Sequence, residues 1–374
     1  MDIYFATDRQ RVEKGRAIVY NAGRDEFLHL GKAGVEFIPR GMGWEEIVEQ
    51  SFSFERKKAL RMSVADIREF GALWTTCPLM DDLKEEAETL EQSMSFARDI
   101  NEKLRRSRRK DIYIYVSGFK VCFDDPVLLS RSLWHYLGYD GAFIAYCWPA
   151  TQGRLSAYAH DLETTNYCSR NFRLLLDFLA KETEAEQIHL IGHSAGVRIV
   201  CNALKELRLI YSRDTEEEIQ SALKIGQVIL LGADFDRTAL RSYYRDNVLA
   251  LMKKATIYIS RKDRALQFSR LLFGTPRLGE LEVRNIHPKK IDIIKKERKL
   301  ELVDVTNARN ASTGSGHLYQ LTSPWISTDI LLCLKHALSP QERGLTSKDG
   351  IVWEFDHQYE SFLKESLRIP AEAF

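Results

Sequence analysis

From residue 111 onward, short runs rich in β-branched and aromatic residues alternate with longer stretches whose apolar positions recur every three or four residues. Strands buried on both faces read as continuous apolar runs, so this alternation predicts a mostly parallel sheet covered by helices. The predicted strands are 112–116 (IYIYV), 142–146 (AFIAY), 188–191 (IHLI), 227–231 (QVILL), 255–259 (ATIYI) and 301–305 (ELVDV). Phe172, Leu175, Leu176 and Leu179 form one helical stripe, and Val197, Val200, Cys201, Leu204 and Leu207 form another. Both stripes should lie against the sheet. The expected class is α/β, with a doubly wound sheet flanked by helices.

Residues 1–110 read differently. A strand-like IYFAT at 3–7 is followed by a segment punctuated by Gly31, Gly34, Gly41 and Gly43, then by a charged helical stretch from Asp81 to Arg109. This region is expected to pack on the part that follows it. No internal repeat or linker-like composition divides the chain.

Composition narrows the function classes. The chain has 374 residues, is 44% hydrophobic, and carries 54 Lys plus Arg against 53 Asp plus Glu, for a net charge of +1. Near-neutrality gives no reason to expect a nucleic-acid partner. The basic LRRSRRK at 104–110 reads as the solvated end of a helix, where cations suit the dipole, and HPKKIDIIKKERK at 287–299 reads as a surface helix or loop. No apolar run approaches the roughly 20 residues of a membrane span, and MDIYFATDRQ is charged too early for a signal peptide. The expectation is a soluble cytoplasmic protein without an integral membrane segment. Its six cysteines stand singly, with no CxxC pair and no Cys/His cluster, and read as buried free thiols in a reducing compartment. Cys122 and Cys147 are set apart only by following strands that point at the candidate site. No metal and no cofactor is expected.

The third core strand runs directly into Gly192-His193-Ser194-Ala195-Gly196 and then into a helix. Strand, GxSxG, helix is the context of a nucleophile elbow, in which the serine sits at the apex of a strained turn and glycines two residues either side relieve the crowding. A serine hydroxyl needs a base, and an imidazole oriented by a carboxylate is the usual one. In this arrangement the order is serine, acid, histidine. Asp263 follows the ATIYI strand in SRKDRAL, and His317 lies after the last strand in STGSGHLY. Asp234 and Asp236, in LLGADFD, are competing acids. The oxyanion should meet the backbone N–H of Ala195 and that of Phe119, in the turn Val116-Ser117-Gly118-Phe119. Ser117, Trp148, Tyr158 and Phe119 are candidate walls of a substrate pocket.

Other histidines carry less. His193 should belong to packing or a polar network, and His189 and His193 straddle a strand end, which argues against a metal despite their four-residue spacing. His160, His287, His336 and His357 lack catalytic context. Nucleotide binding is disfavoured because no GxGxxG follows a strand, and GTPRLG at 274–279 lacks the Lys and Ser/Thr of a phosphate loop.

Taken together, FATDR at 5–9, YVSGF at 115–119, CWPA at 147–150, GHSAG at 192–196, LLGADFD at 230–236, SRKDRAL at 260–266 and GH at 316–317 resemble a bacterial family of α/β hydrolases of unknown function, over roughly residues 1–335. The resemblance implies Ser194 as nucleophile, Asp263 as acid and His317 as base. The chain's own pattern divides it into an expected N-terminal extension at 1–110, an α/β-hydrolase core at 111–340 and a C-terminal helical tail at 341–374. Where the family usually has His-Gly-Phe, this chain has Ser117-Gly118-Phe119. The expected function is a serine hydrolase cleaving an ester or related acyl bond of a small molecule through an acyl-enzyme. The alternative is a hydrolase fold kept as a catalytically weak or inactive binding module. Nothing in the residues fixes the oligomeric state.

Overall fold

The computed structural model describes residues 2–15, 17–38, 61–74, 83–152, 157–281 and 294–366. Gly41 and Gly43, the start of the charged stretch at Asp81, residues 287–293 of the second basic segment and the end of the tail from 367 lie outside them. The chain forms two compact units, Met1–Glu184 and Ala185–Phe374, a division that falls within the expected core at 111–340.

The first unit holds β1 (Asp2–Lys14), β2 (Ala17–Ile38), β3 (Arg61–Ala72), α1 (Leu83–Arg105), β4 (Asp111–Val116), α2 (Asp124–Tyr136), β5 (Ala142–Tyr146) and α3 (Ala157–Glu182). Its strands run in the order β4-β5-β1-β2-β3. β4 and β5 are parallel, as the apolar runs predicted, and β1 continues the parallel set with Tyr4 opposite Ile144. β2 and β3 then add antiparallel, so the N-terminal region extends the strands of its unit. The strand-like 3–7 is only the buried inner part of β1, and the glycine-punctuated segment at Gly31 and Gly34 is strand β2. Gly31 lies opposite Phe5, and a Cβ there would come within 2.2 Å of the Phe5 ring. This glycine makes room for a cross-strand aromatic. On α3 the predicted stripe Phe172, Leu175, Leu176 and Leu179 is buried.

The second unit contains β6 (Gln187–His193), α4 (Gly196–Ile210), α5 (Glu216–Leu223), β7 (Ile225–Leu231), β8 (Met252–Ile259), α6 (Arg264–Phe273), β9 (Leu300–Asp304), α7 (Pro324–His336), β10 (Val352–Glu354) and α8 (Tyr359–Ser366). Its strands run β10-β9-β8-β7-β6 with parallel pairing throughout. β7 is buried at every residue, which is why it reads as an unbroken apolar run. The residues expected as a helical tail contribute strand β10 beside β9 as well as helix α8. The mostly parallel sheet with flanking helices is the α/β-hydrolase architecture that the sequence pointed to. Among the described residues, no helix is long and apolar enough to cross a membrane.

A buried ion network ties the chain after α7 to this sheet. Arg343, fully buried, places Nε 2.8 Å from Asp329 Oδ1 and Nη1 3.0 Å from Glu301 Oε2. Tyr258 donates its hydroxyl hydrogen to the other Asp329 oxygen at 2.6 Å. Burial raises the Asp329 pKa, against the opposing pull of Arg343. Removing one partner leaves an uncompensated buried charge, a loss of about 3–5 kcal/mol. Arg343→Met is therefore expected to lower unfolding stability by about that amount, read from the denaturant midpoint and slope. A change below about 1 kcal/mol would show that the network is energetically idle.

Candidate active site

Ser194 follows β6 directly and precedes α4, with Ala195 as the residue at the helix N-terminus. Its φ is 54°, in the left-handed region that a side chain disfavours. Strain of about 1–3 kcal/mol at one residue persists only where the surroundings enforce it. Here two backbone bonds do so: Ser194 N–H donates to Leu231 C=O at 2.9 Å, and Asp234 N–H donates to Ser194 C=O at 3.3 Å. The elbow is thus stitched to the end of β7. At the first turn of α4 the Val197 and Arg198 N–H groups turn back to Ser194 and Ala195 C=O, and the helix dipole favours negative charge at this end.

Asp263 is the N-cap of α6 and is fully buried. Its two oxygens do two jobs. Oδ1 accepts from Leu266 N–H at 3.1 Å, and Oδ2 lies 2.7 Å from His317 Nδ1. An aspartate used as a helix cap is rigid at the backbone and at one oxygen, so the other oxygen is presented in a fixed direction.

His317 is held from three sides. His193, 4% exposed, points its Nε2–H at the His317 carbonyl oxygen, 3.1 Å away, with the two ring centroids 4.8 Å apart. Burial, helped by the neighbouring His317, lowers the His193 pKa to about 3, so this imidazole is a neutral donor. Gly232, with φ +48°, lies under the His317 ring, and a Cβ there would come 3.0 Å from Cε1. Its N–H donates to the Tyr319 hydroxyl at 2.5 Å. Gly232 follows the residue that accepts from Ser194, so the serine backbone, this glycine and the imidazole occupy one corner of the unit.

The competing acids go elsewhere. Asp234 accepts from Ser269 Oγ at 2.6 Å, and Asp236 accepts from Thr238 N–H and Oγ1, both at 2.7 Å. Neither is hydrogen-bonded to His317 among the described residues. His189 accepts the Gln227 N–H at 3.0 Å through Nδ1, a structural role.

Four further predicted residues gather in the first unit. The Trp148 indole N–H donates to Ser117 C=O at 2.8 Å, and Phe119 packs edge-on against Tyr158 with centroids 4.9 Å apart. Trp148 is fully buried and braces the 117–119 turn through that carbonyl. Ser117 Oγ is buried without a hydrogen-bond partner among the described residues. Cys147 is buried, which pushes its thiol well above the usual range.

Sequence reasoning gave no role to Arg9. This guanidinium, 1% exposed, reaches the carbonyls of Val121 at 2.8 Å and Ala150 at 3.3 Å through Nη2, tying together the loops after β4 and β5. Beside it, Thr7 donates its hydroxyl hydrogen to Cys147 C=O at 2.6 Å, and buried Asp8 accepts from Tyr146 and from Asn171. The only signal was the FATDR run itself.

Fold and site together define an α/β hydrolase. The family described as alpha/beta hydrolase of unknown function (DUF900) matches residues 92–334, more than half of the chain, and the chain belongs to that family. No curated protein and no solved structure matches it.

Proposed function

We propose that the chain is a serine hydrolase that cleaves an ester or related acyl bond of a small molecule through an acyl-enzyme. Ser194 Oγ attacks the carbonyl carbon while its proton passes to His317 Nε2. Asp263 accepts the Nδ1–H, which fixes the tautomer and stabilises the imidazolium. The protonated imidazole then gives its proton to the leaving group, and water, deprotonated by the same nitrogen, releases the acyl group. The observation that carries the reading is the 2.7 Å contact between the buried, capped Asp263 and His317 Nδ1, beside a serine held at φ 54° on a strand-to-helix turn.

Of the two oxyanion donors, the Ala195 N–H belongs to the same unit as the three side chains. The Phe119 N–H belongs to the first unit and is assigned from its position in the chain, as are Ser117, Trp148 and Tyr158 on the substrate side. The chemistry requires no cofactor.

A fluorophosphonate probe tests the proposal directly. After labelling and proteolysis, mass spectrometry is expected to find the adduct on Ser194, with labelling blocked by prior heat denaturation. An adduct on another residue, or none, would reject the nucleophile and favour the binding-module alternative.

A further inference from the structure

Two arginines next to the elbow, Arg277 buried and Arg198 mostly so, are left over by this mechanism. Arg198 lies on the first turn of α4, its N–H donating to Ala195 C=O at 3.0 Å, and Arg277 is 2% exposed. Both guanidiniums lie over the Phe273 ring, 5.8 and 4.7 Å from its centroid. The carboxylate that faces both is Asp234. Its Oδ1 is 3.6 Å from Arg198 Nη2 and 3.7 Å from Arg277 Nε, beyond hydrogen-bond reach, and that oxygen already accepts from Ser269. Asp236 attracts Arg198 at longer range, but its Oδ1 is turned to Thr238.

Three donors remain: Arg198 Nε, Arg198 Nη2 and Arg277 Nε are buried without a hydrogen-bond partner among the described residues. Arg277 Nη2 bonds Thr275 Oγ1 at 2.9 Å. Burial and the repulsion of Arg277 lower the Arg198 pKa to about 10, against the pull of Asp236. Buried donors normally have hydrogen-bond partners, and an unmet one is costly. An oxyanion seated between two guanidinium forks supplies several acceptors at once. Asp234, at the centre of the cluster, is also hydrogen-bonded through its N–H to the Ser194 carbonyl, which sets the cluster beside the candidate nucleophile.

We propose that Arg198 and Arg277 form a binding site for an oxyanion, a carboxylate or phosphate group. Resting on the serine-hydrolase reading, the anion belongs to the substrate, so the enzyme acts on esters whose acyl or alcohol part carries a negative charge remote from the scissile bond.

Binding and turnover test this separately. In the first arm, Ser194→Ala protein is titrated with adipate and with inorganic phosphate in a calorimeter. One of the two anions is expected to bind, and affinity should fall at least tenfold with Arg198→Gln or Arg277→Gln added, and less with Arg198→Lys, which keeps the charge but loses the fork. Which anion binds separates a carboxylate from a phosphate ligand. In the second arm, hydrolysis of the mono(4-nitrophenyl) ester of adipic acid is compared with that of 4-nitrophenyl hexanoate. The anionic ester should be preferred, and Arg198→Gln should lower its kcat/KM at least tenfold while changing the neutral ester less than threefold. Circular dichroism melts identify a variant that fails to fold, in which case the other glutamine variant and Arg198→Lys decide.

If neither anion binds, or the arginine variants leave binding and substrate preference unchanged, the anion site is wrong. Fluorophosphonate labelling at Ser194 would then leave the hydrolase reading standing. Arginine-dependent binding without any labelling would keep the anion site and overturn the hydrolase reading.

Discussion

Alanine in place of Ser194 is expected to lower kcat on 4-nitrophenyl esters by on the order of 10⁶-fold, the loss typical when the nucleophile of a serine–histidine unit is removed. What remains should be the modest acceleration over water that binding and oxyanion donors provide without a nucleophile. The substitution is gentle on the fold. Ser194 is held at φ 54° by its N–H to Leu231 and its carbonyl to Asp234, and alanine keeps both bonds. Alanine and serine have similar difficulty in the left-handed region, so the melting temperature should move little. Retention of more than a tenth of wild-type kcat in a folded Ser194→Ala protein would show that the reaction does not pass through this hydroxyl.

The second large effect is at Asp263, where the geometry permits a cleaner experiment than truncation. Asp263 Oδ1 caps α6 through Leu266 N–H, and Oδ2 accepts from His317 Nδ1. Asparagine caps a helix about as well as aspartate, so Asp263→Asn can keep the cap through its amide oxygen. Its amide nitrogen then faces His317 as a donor and favours the tautomer with the proton on Nε2, which cannot take a proton from serine. The expected fall in kcat is about 10⁴-fold with the fold intact. Asp263→Ala removes cap and orienting contact together, adding about 1 kcal/mol of instability. A full-activity Asp263→Asn enzyme with an unchanged melt would transfer the orienting role to another carboxylate.

Why Asp263 and not Asp234 is a question that spacing leaves open. Both follow parallel strands of the second unit. Tertiary packing separates them: Ser269, on the helix that Asp263 caps, donates to Asp234, and this leaves Asp263 to face the imidazole. His193 shows the same limit. The sequence put it in a packing or polar-network role, and folding makes it the donor that pins the backbone of His317, 124 positions away.

The first unit was partly legible. β4 and β5 are buried at every residue, so composition alone marks them. β2 and β3 are antiparallel, and their sequence mixes glycines and charges among apolar residues. Gly31 only makes sense once Phe5 lies across from it. Strand β10, three residues long, has too little pattern of its own and exists through its pairing with β9.

The sequence by itself determined the α/β alternation, the strand-to-helix turn that carries Ser194, and the set of acids and histidines competing to serve it, because burial pattern and tight-turn sterics act over a few neighbouring residues. The motif already favoured Asp263 as the partner of His317; the tertiary structure alone decided that His193 braces that histidine, that Arg9 ties two loops together and that Arg198 and Arg277 share one aromatic ring. Those are contacts between side chains distant along the chain, and no local periodicity encodes the direction in which a side chain points after the backbone has folded.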